Sequence, residues 1–145
     1  MLQTKWSEAD FDAMSWHDNH VHGLAIREGR HGTGELELDI DYILEWIRVG
    51  NGRFQFRIAP ARLCFREVFN LKIALDYEVA TAALGPFSIA AIERTLQPRQ
   101  RWSILLNWPQ GQVNFEANGF SQEIVGAEIL SDGQCLKPAQ RQRSG

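Results

Sequence analysis

Four residues close together, His17, Asp18, His20 and His22, form the densest set of metal-ligating side chains in the sequence. Residues two apart on an extended strand project from one face, so His20 and His22 stand about 6–7 Å apart along the backbone, a spacing that can grip zinc. A catalytic zinc site needs a third protein ligand and an open position for water. His17, Asp18 or a carboxylate from Glu37, Asp39 or Asp41 is the available supply. Parity works against the carboxylates. Leu24 and Ile26 share the face of His20 and His22, which turns these imidazoles toward the core side. Glu37, Asp39 and Asp41 lie opposite the apolar face of their own strand. Joining the two sets takes a bulge or a change of register. Without one, His20 and His22 sit at a strand end, partly exposed and hydrogen-bonded to backbone or water.

His17 and Asp18 do not form a dyad by adjacency, because neighbours on a regular element do not face each other. Their simpler role is the polar exit of a short helix, with Trp16 in the core. An imidazolium at that helix end interacts favourably with the dipole. A general base there would lack any signalled nucleophile or oxyanion loop.

A second group is electrostatic. Glu35, Glu37, Asp39 and Asp41 alternate with Leu36, Leu38 and Ile40, giving an acidic ladder on one strand face. Gly50-Asn51-Gly52 supplies residues tolerant of positive φ and so a hairpin. A three-residue turn pairs Trp46 with Phe56, Leu44 with Ile58 and Glu45 with Arg57. If Ala59-Pro60 is also a hairpin, Arg53, Arg57, Arg62 and Arg66 share one solvent face, where like charges repel. The acidic ladder offsets them within the chain, or an acidic partner or anion does so from outside, since guanidinium groups suit carboxylates and phosphates. Cys64 sits between Arg62 and Arg66, a position that lowers a thiol pKa. No base for it is visible, and its place there is incidental. Trp16, Trp46, Trp102 and Trp108 fall at core parity or beside turns, which makes them packing residues. No phosphate-binding loop, Gly-rich dinucleotide motif, Cys-x-x-Cys pair or nucleophile elbow occurs.

The elements that must position these groups are mostly strands. Ser7 to Asp10 resembles a capping box that opens a short helix to about Met14. From His20 the hydrophobic period is two. Strands are expected at Glu35–Trp46, bending near Asp41-Tyr42, and at Arg53–Ile58, with Ala59-Pro60 as an interruption because proline has no ladder donor. Further strands follow around Leu63 and Phe65, over Leu71–Tyr77, over Phe87–Leu96 (where the lack of a clean period leaves a short helix as the alternative), over Trp102–Trp108 and over Val113–Ala117. The last runs from Phe120 to Leu130 with a bulge at Gly126. Residues 78–86 read as loop, and Pro109-Gln110-Gly111 as a turn. The pattern predicts a mainly β protein, an antiparallel β-sandwich or open barrel of about eight to ten short strands with one short N-terminal helix. Residues 1–138 make one domain and residues 139–145 a disordered tail.

At 145 residues and a 44% apolar fraction, the chain can bury a core without disulfide or metal. Its net charge of -3 does not suit nucleic acid, and no apolar run approaches membrane-spanning length. Two cysteines far apart and a first segment without an apolar stretch point to the cytoplasm.

Five segments together resemble an uncharacterised family of small bacterial proteins. They are Met14-Ser15-Trp16-His17-Asp18, Leu38 to Trp46, Ile58-Ala59-Pro60-Ala61, Leu106-Asn107-Trp108-Pro109 and Gly119-Phe120-Ser121-Gln122. The resemblance implies no activity, cofactor or catalytic residue. In size and β-rich character the chain is also similar to small immunity proteins that neutralise toxins. The expectation is a small non-enzymatic domain that binds another protein through the charged residues Glu35, Glu37, Asp39, Asp41, Arg53, Arg57, Arg62 and Arg66. The competing expectations are a zinc or small-ligand site at His17, Asp18, His20 and His22, and a structural homo-oligomer.

Overall fold

A computed structural model describes residues 3–78 and 83–141. Among these residues the chain forms ten strands: β1 (Lys5–Ser7), β2 (His20–Glu28), β3 (Gly34–Gly50), β4 (Arg53–Arg66), β5 (Phe69–Asp76), β6 (Phe87–Thr95), β7 (Arg101–Trp108), β8 (Gln110–Glu116), β9 (Gly119–Ile124) and β10 (Ile129–Ser131). Every pairing is antiparallel, in the order β1-β9-β4-β3-β2-β6-β7-β8-β5, with β10 added to β4. The protein is mainly β, and its sheet is open rather than closed into a barrel. Of the loop expected over residues 78–86, residues 79–82 lie outside the described residues.

The sheet folds over where β2 and β6 meet, at His20–Ser88 and Val21–Phe87 alone. Its halves face each other across one aromatic core. Phe65 of β4 lies 4.9 Å from Trp102 of β7 and 4.7 Å from Phe115 of β8, ring centre to ring centre. Leu36, Leu38, Ile40, Leu63 and Phe65 are fully buried there, as period-two hydrophobicity requires. The N-terminal helical segment is a 3-10 turn, Glu8–Ala13, closed by Ser7 and Asp10 through their capping box. It carries Phe11 into the same core.

The β3–β4 hairpin departs from expectation in three ways. Its extra residue is Leu44, so Ile43 rather than Leu44 stands opposite Ile58, while Glu45–Arg57 and Trp46–Phe56 pair as expected. Trp46, expected in the core, is 42% exposed on the far side of that bulge. β4 also runs straight through Ala59-Pro60. The carbonyl of Pro60 accepts from Val125 N–H at 2.8 Å, and β9 ends its ladder one residue away at Ala61–Ile124. β10 resumes only at Ile58. The missing proline N–H thus falls in the gap between two partners.

Because β4 does not fold back, the four arginines do not share one face. Arg57 pairs with Glu45 (2.7 Å) and Glu128, Arg62 with Glu37 (2.9 Å) and Glu123, and Arg66 donates to Ser121 (2.6 Å). Arg53 is exposed beside the turn. The single expected last strand is two, β9 and β10, with Gly126 packed so closely on the Pro60 ring that a Cβ would lie 2.8 Å from its Cγ.

A second, smaller core covers part of the outer face of the same hairpin. Ile43, Phe56 and Ile58 meet Leu136 there. Residues 139–141, expected in a disordered tail, are therefore part of the fold: Pro138–Gln140 form a 3-10 turn and Arg141 is ion-paired. Residues 142–145 lie outside the described residues. No helix among the described residues is long and apolar enough to cross a membrane.

Candidate functional site

The site forms where the C-terminal segment lies across β2 and β3. β2 carries a bulge between Val21 and Gly23, which leaves His22 as the extra residue opposite β3. Val21 stays in the core, whereas Leu24, two residues past the bulge, returns to core parity opposite Leu38. The bulge thus reverses the expected side for His22. Instead of following Leu24 inward, its ring turns onto the outer face, which the acidic residues of β3 also occupy.

There His22 Nε2–H donates to Asp41 Oδ2 at 2.7 Å. Asp41, expected on a wet acidic edge, is fully buried. Its parity is as expected, but Leu136 and Arg141 cover it. Leu136 N–H donates to Oδ2 at 2.7 Å and Arg141 Nε to Oδ1 at 2.7 Å. The guanidinium also grips Asp39 through two nitrogens, at 2.7 and 3.1 Å, and donates to the Ile40 carbonyl. Burial alone raises a carboxyl pKa, but His22, Arg141 and the Leu136 amide together hold Asp41 below its ordinary value.

Cys135, which no pattern in the sequence had singled out, places its Sγ 3.8 Å from His22 Nε2. Burial pushes this thiol up, the Asp41 charge adds to the shift, and Arg141 opposes it. His22, Asp41 and Cys135 each offer a donor atom, and these atoms all lie within 4.8 Å of one another.

The other three residues of the expected histidine set take different places. His20 stands opposite Asp41. Burial lowers its pKa, the Asp41 charge opposes that shift and His22 adds to it. Its Nδ1 is buried with no hydrogen-bond partner. His17 lies away from that cluster: Nδ1–H donates to the Ala90 carbonyl at 3.2 Å, the ring stacks on Trp46 at 6.2 Å, and Nε2 lies 3.4 Å from Asp18 Oδ2, so the two neighbours do meet, contrary to expectation. Asp18 adopts a positive φ of 64° and accepts from Asn107 Nδ2 (2.7 Å) and Gln134 Nε2 (3.1 Å). Its carboxylate is thereby drawn away from the His22 cluster. Consecutive residues Gln134, Cys135 and Leu136 thus touch Asp18, His22 and Asp41 in turn.

The acidic ladder meets its cations within the chain. Glu37 bridges Arg27 (2.7 Å) and Arg62 (2.9 Å), and Asp39 and Asp41 share Arg141. Glu35 lies 3.8 Å from the Cys64 sulfur. Cys64 itself behaves opposite to expectation. Burial raises its pKa, Arg66 pulls it down, and Glu35 and Glu37 push it up. Compared with known proteins, the chain matches no family model, no curated protein and no solved structure.

Proposed function

We propose that this domain binds one divalent transition-metal ion of the zinc type through His22 Nε2, Asp41 Oδ2 and Cys135 Sγ. The observation that carries this reading is that three different donor atoms all lie within 4.8 Å of one another. Zinc–ligand bonds of about 2.0–2.3 Å at tetrahedral angles set nitrogen–sulfur and nitrogen–oxygen separations near 3.5 and 3.3 Å. The His22–Cys135 distance of 3.8 Å is close to that already. The His22–Asp41 hydrogen bond at 2.7 Å has to open by about 0.6 Å as the ion replaces its proton.

Charge favours the same reading. Asp41 brings a fully buried carboxylate to the donor set, a charge that suits a cation. A bound cation lowers the Cys135 pKa outright. Arg141 and the Leu136 amide then act as outer partners that fix the carboxylate. Three protein donors leave one tetrahedral position for water or a small ligand.

The same atoms do not suit nucleophilic catalysis. In a thiol–imidazole–carboxylate relay the two ring nitrogens serve different partners. Here Asp41 and Cys135 both approach Nε2. A partner-binding role for the charged outer face, the immunity-like reading, draws less support, since Glu37, Asp39, Arg57 and Arg62 are paired within the chain and a partner would have to displace those pairs.

Protein purified without a histidine tag is titrated with Co²⁺ and its visible spectrum recorded. The expected result is one equivalent bound with a thiolate-to-cobalt band, lost in Cys135→Ser and His22→Ala and retained in His31→Ala. Binding that is absent, or equal in all three variants, ends the proposal.

A further inference from the structure

β5 closes one end of the sheet, and among the described residues it pairs with β8 alone. A free edge of eight residues offers its outward N–H and C=O groups to any strand that fits, and natural edges are usually protected by charge, proline or shortness. β5 has no proline and carries one charge of each sign, Lys72 and Asp76. Ile73 and Leu75 are 41% and 39% exposed although they belong to the apolar face, Ile73 lying opposite the buried Val113.

The direction of its backbone groups follows from Gly111. A Cβ there would overlap the carbonyl oxygen of Ala74, so that carbonyl points at β8. Along a strand, the N–H and C=O of one residue point to one side and those of the next residue to the other. Ile73 and Leu75 therefore direct their N–H and C=O groups to the open edge.

We infer that β5 pairs antiparallel with β5 of a second copy of this chain about a two-fold axis at Ala74. In that register Ile73 stands opposite Leu75 of the other copy, and their outward backbone groups complete a ladder. Lys72 stands opposite Asp76, Leu71 opposite Tyr77, and each pair occurs twice by symmetry. Apolar side chains meet on the core face, and opposite charges meet on the other. Shifting by two residues either way keeps the faces matched but loses the Lys72–Asp76 pairing. Lys72 and Asp76 also fall at non-hydrogen-bonded positions of the new ladder, where cross-strand side chains come closest. The strand is thus self-complementary in backbone, hydrophobicity and charge, which argues for a second copy over an unrelated partner. The surface is separate from the His22 cluster and independent of what that cluster binds.

The test is a charge exchange read by sedimentation equilibrium on the full chain. Wild type is expected to dimerise reversibly. Lys72→Asp and Asp76→Lys each weaken the dimer about tenfold, because each places like charges opposite one another twice. The double variant, Lys72→Asp with Asp76→Lys, restores it. An equimolar mixture of the two single variants forms the heterodimer in preference to either homodimer. Both substitutions are on the surface, and near-ultraviolet circular dichroism checks that each fold is kept. A wild type that stays monomeric, or a dimer indifferent to the single substitutions or not restored by the exchange, overturns the inference. Association through another surface or with another protein's strand counts as that second result.

Discussion

Asp41 and Arg141, 100 residues apart in the chain, meet at 2.7 Å over a carboxylate with no exposed surface. The contact ties the C-terminal segment to the middle of the β3–β4 hairpin, and it is the support on which the proposed metal donors rest. Removing one partner of a buried, hydrogen-bonded ion pair leaves the other charged and unmatched, at a cost of about 3–5 kcal/mol. Arg141→Ala should therefore lower the urea midpoint with an unchanged slope. Hydrogen exchange at the Leu136 amide, which the same carboxylate accepts, should accelerate by more than exchange in β7. An unchanged midpoint would show that Asp41 is neutralised without Arg141.

Trp16 and Gln122 form a second buried polar pair, the indole N–H donating to Oε1 at 2.8 Å. Trp16→Phe removes the donor and leaves the oxygen stranded, which costs about 1–3 kcal/mol beyond the lost ring volume. Gln122→Leu in that background removes the stranded group and should recover part of the loss. A thermal-denaturation double-mutant cycle measures the coupling, and strict additivity of the two losses would refute it.

Phe65 spans the two halves of the folded sheet, touching Trp102, Phe115 and Phe120. Phe65→Ala should cost about 3–5 kcal/mol through lost burial and a residual cavity. Because the rings it abandons include Trp102, indole fluorescence in the folded state should shift as well. A cost under about 1 kcal/mol would mean that the halves close over the gap.

Gly111 packs its α-carbon against the Ala74 carbonyl, with no room for a side chain. Gly111→Ala should loosen β5 from β8 while sparing the β3–β4 hairpin, far along the sheet. Amide exchange resolved by residue tests this directly: faster exchange at Ala74 and Asp76, little change at Leu38 and Leu63. Equal acceleration in both regions would mean that the sheet opens as one unit.

The central strands are legible because one face of each is covered by the main core. Leu36, Leu38 and Ile40 in β3, and Ile104 in β7, are fully buried as alternation requires. The site was less legible, for reasons that lie in particular residues. The parity of Glu37, Asp39 and Asp41 was read correctly, but parity says which side a residue faces and not whether something covers that side. Leu136 and Arg141 provide the cover, from a segment with no period at all. Joining histidine to carboxylate takes a bulge or a change of register, but the sequence does not place it: a one-residue insertion in His-Val-His-Gly leaves no mark except the glycine after it. Nothing local points to Cys135. Its role comes from its neighbours Gln134 and Leu136, whose contacts lie more than ninety residues away in the chain.

One consequence follows from where Arg141 stands in the order of synthesis. The ribosome completes the β3–β4 hairpin long before it adds the arginine that pairs with Asp39 and Asp41. Until then nothing from the C-terminal segment covers Asp41, and the hairpin's outer side remains wet above Ile43 and Ile58. A nascent or prematurely ended chain therefore keeps a charged, unsealed hairpin, and only a chain that reaches residue 141 can close it.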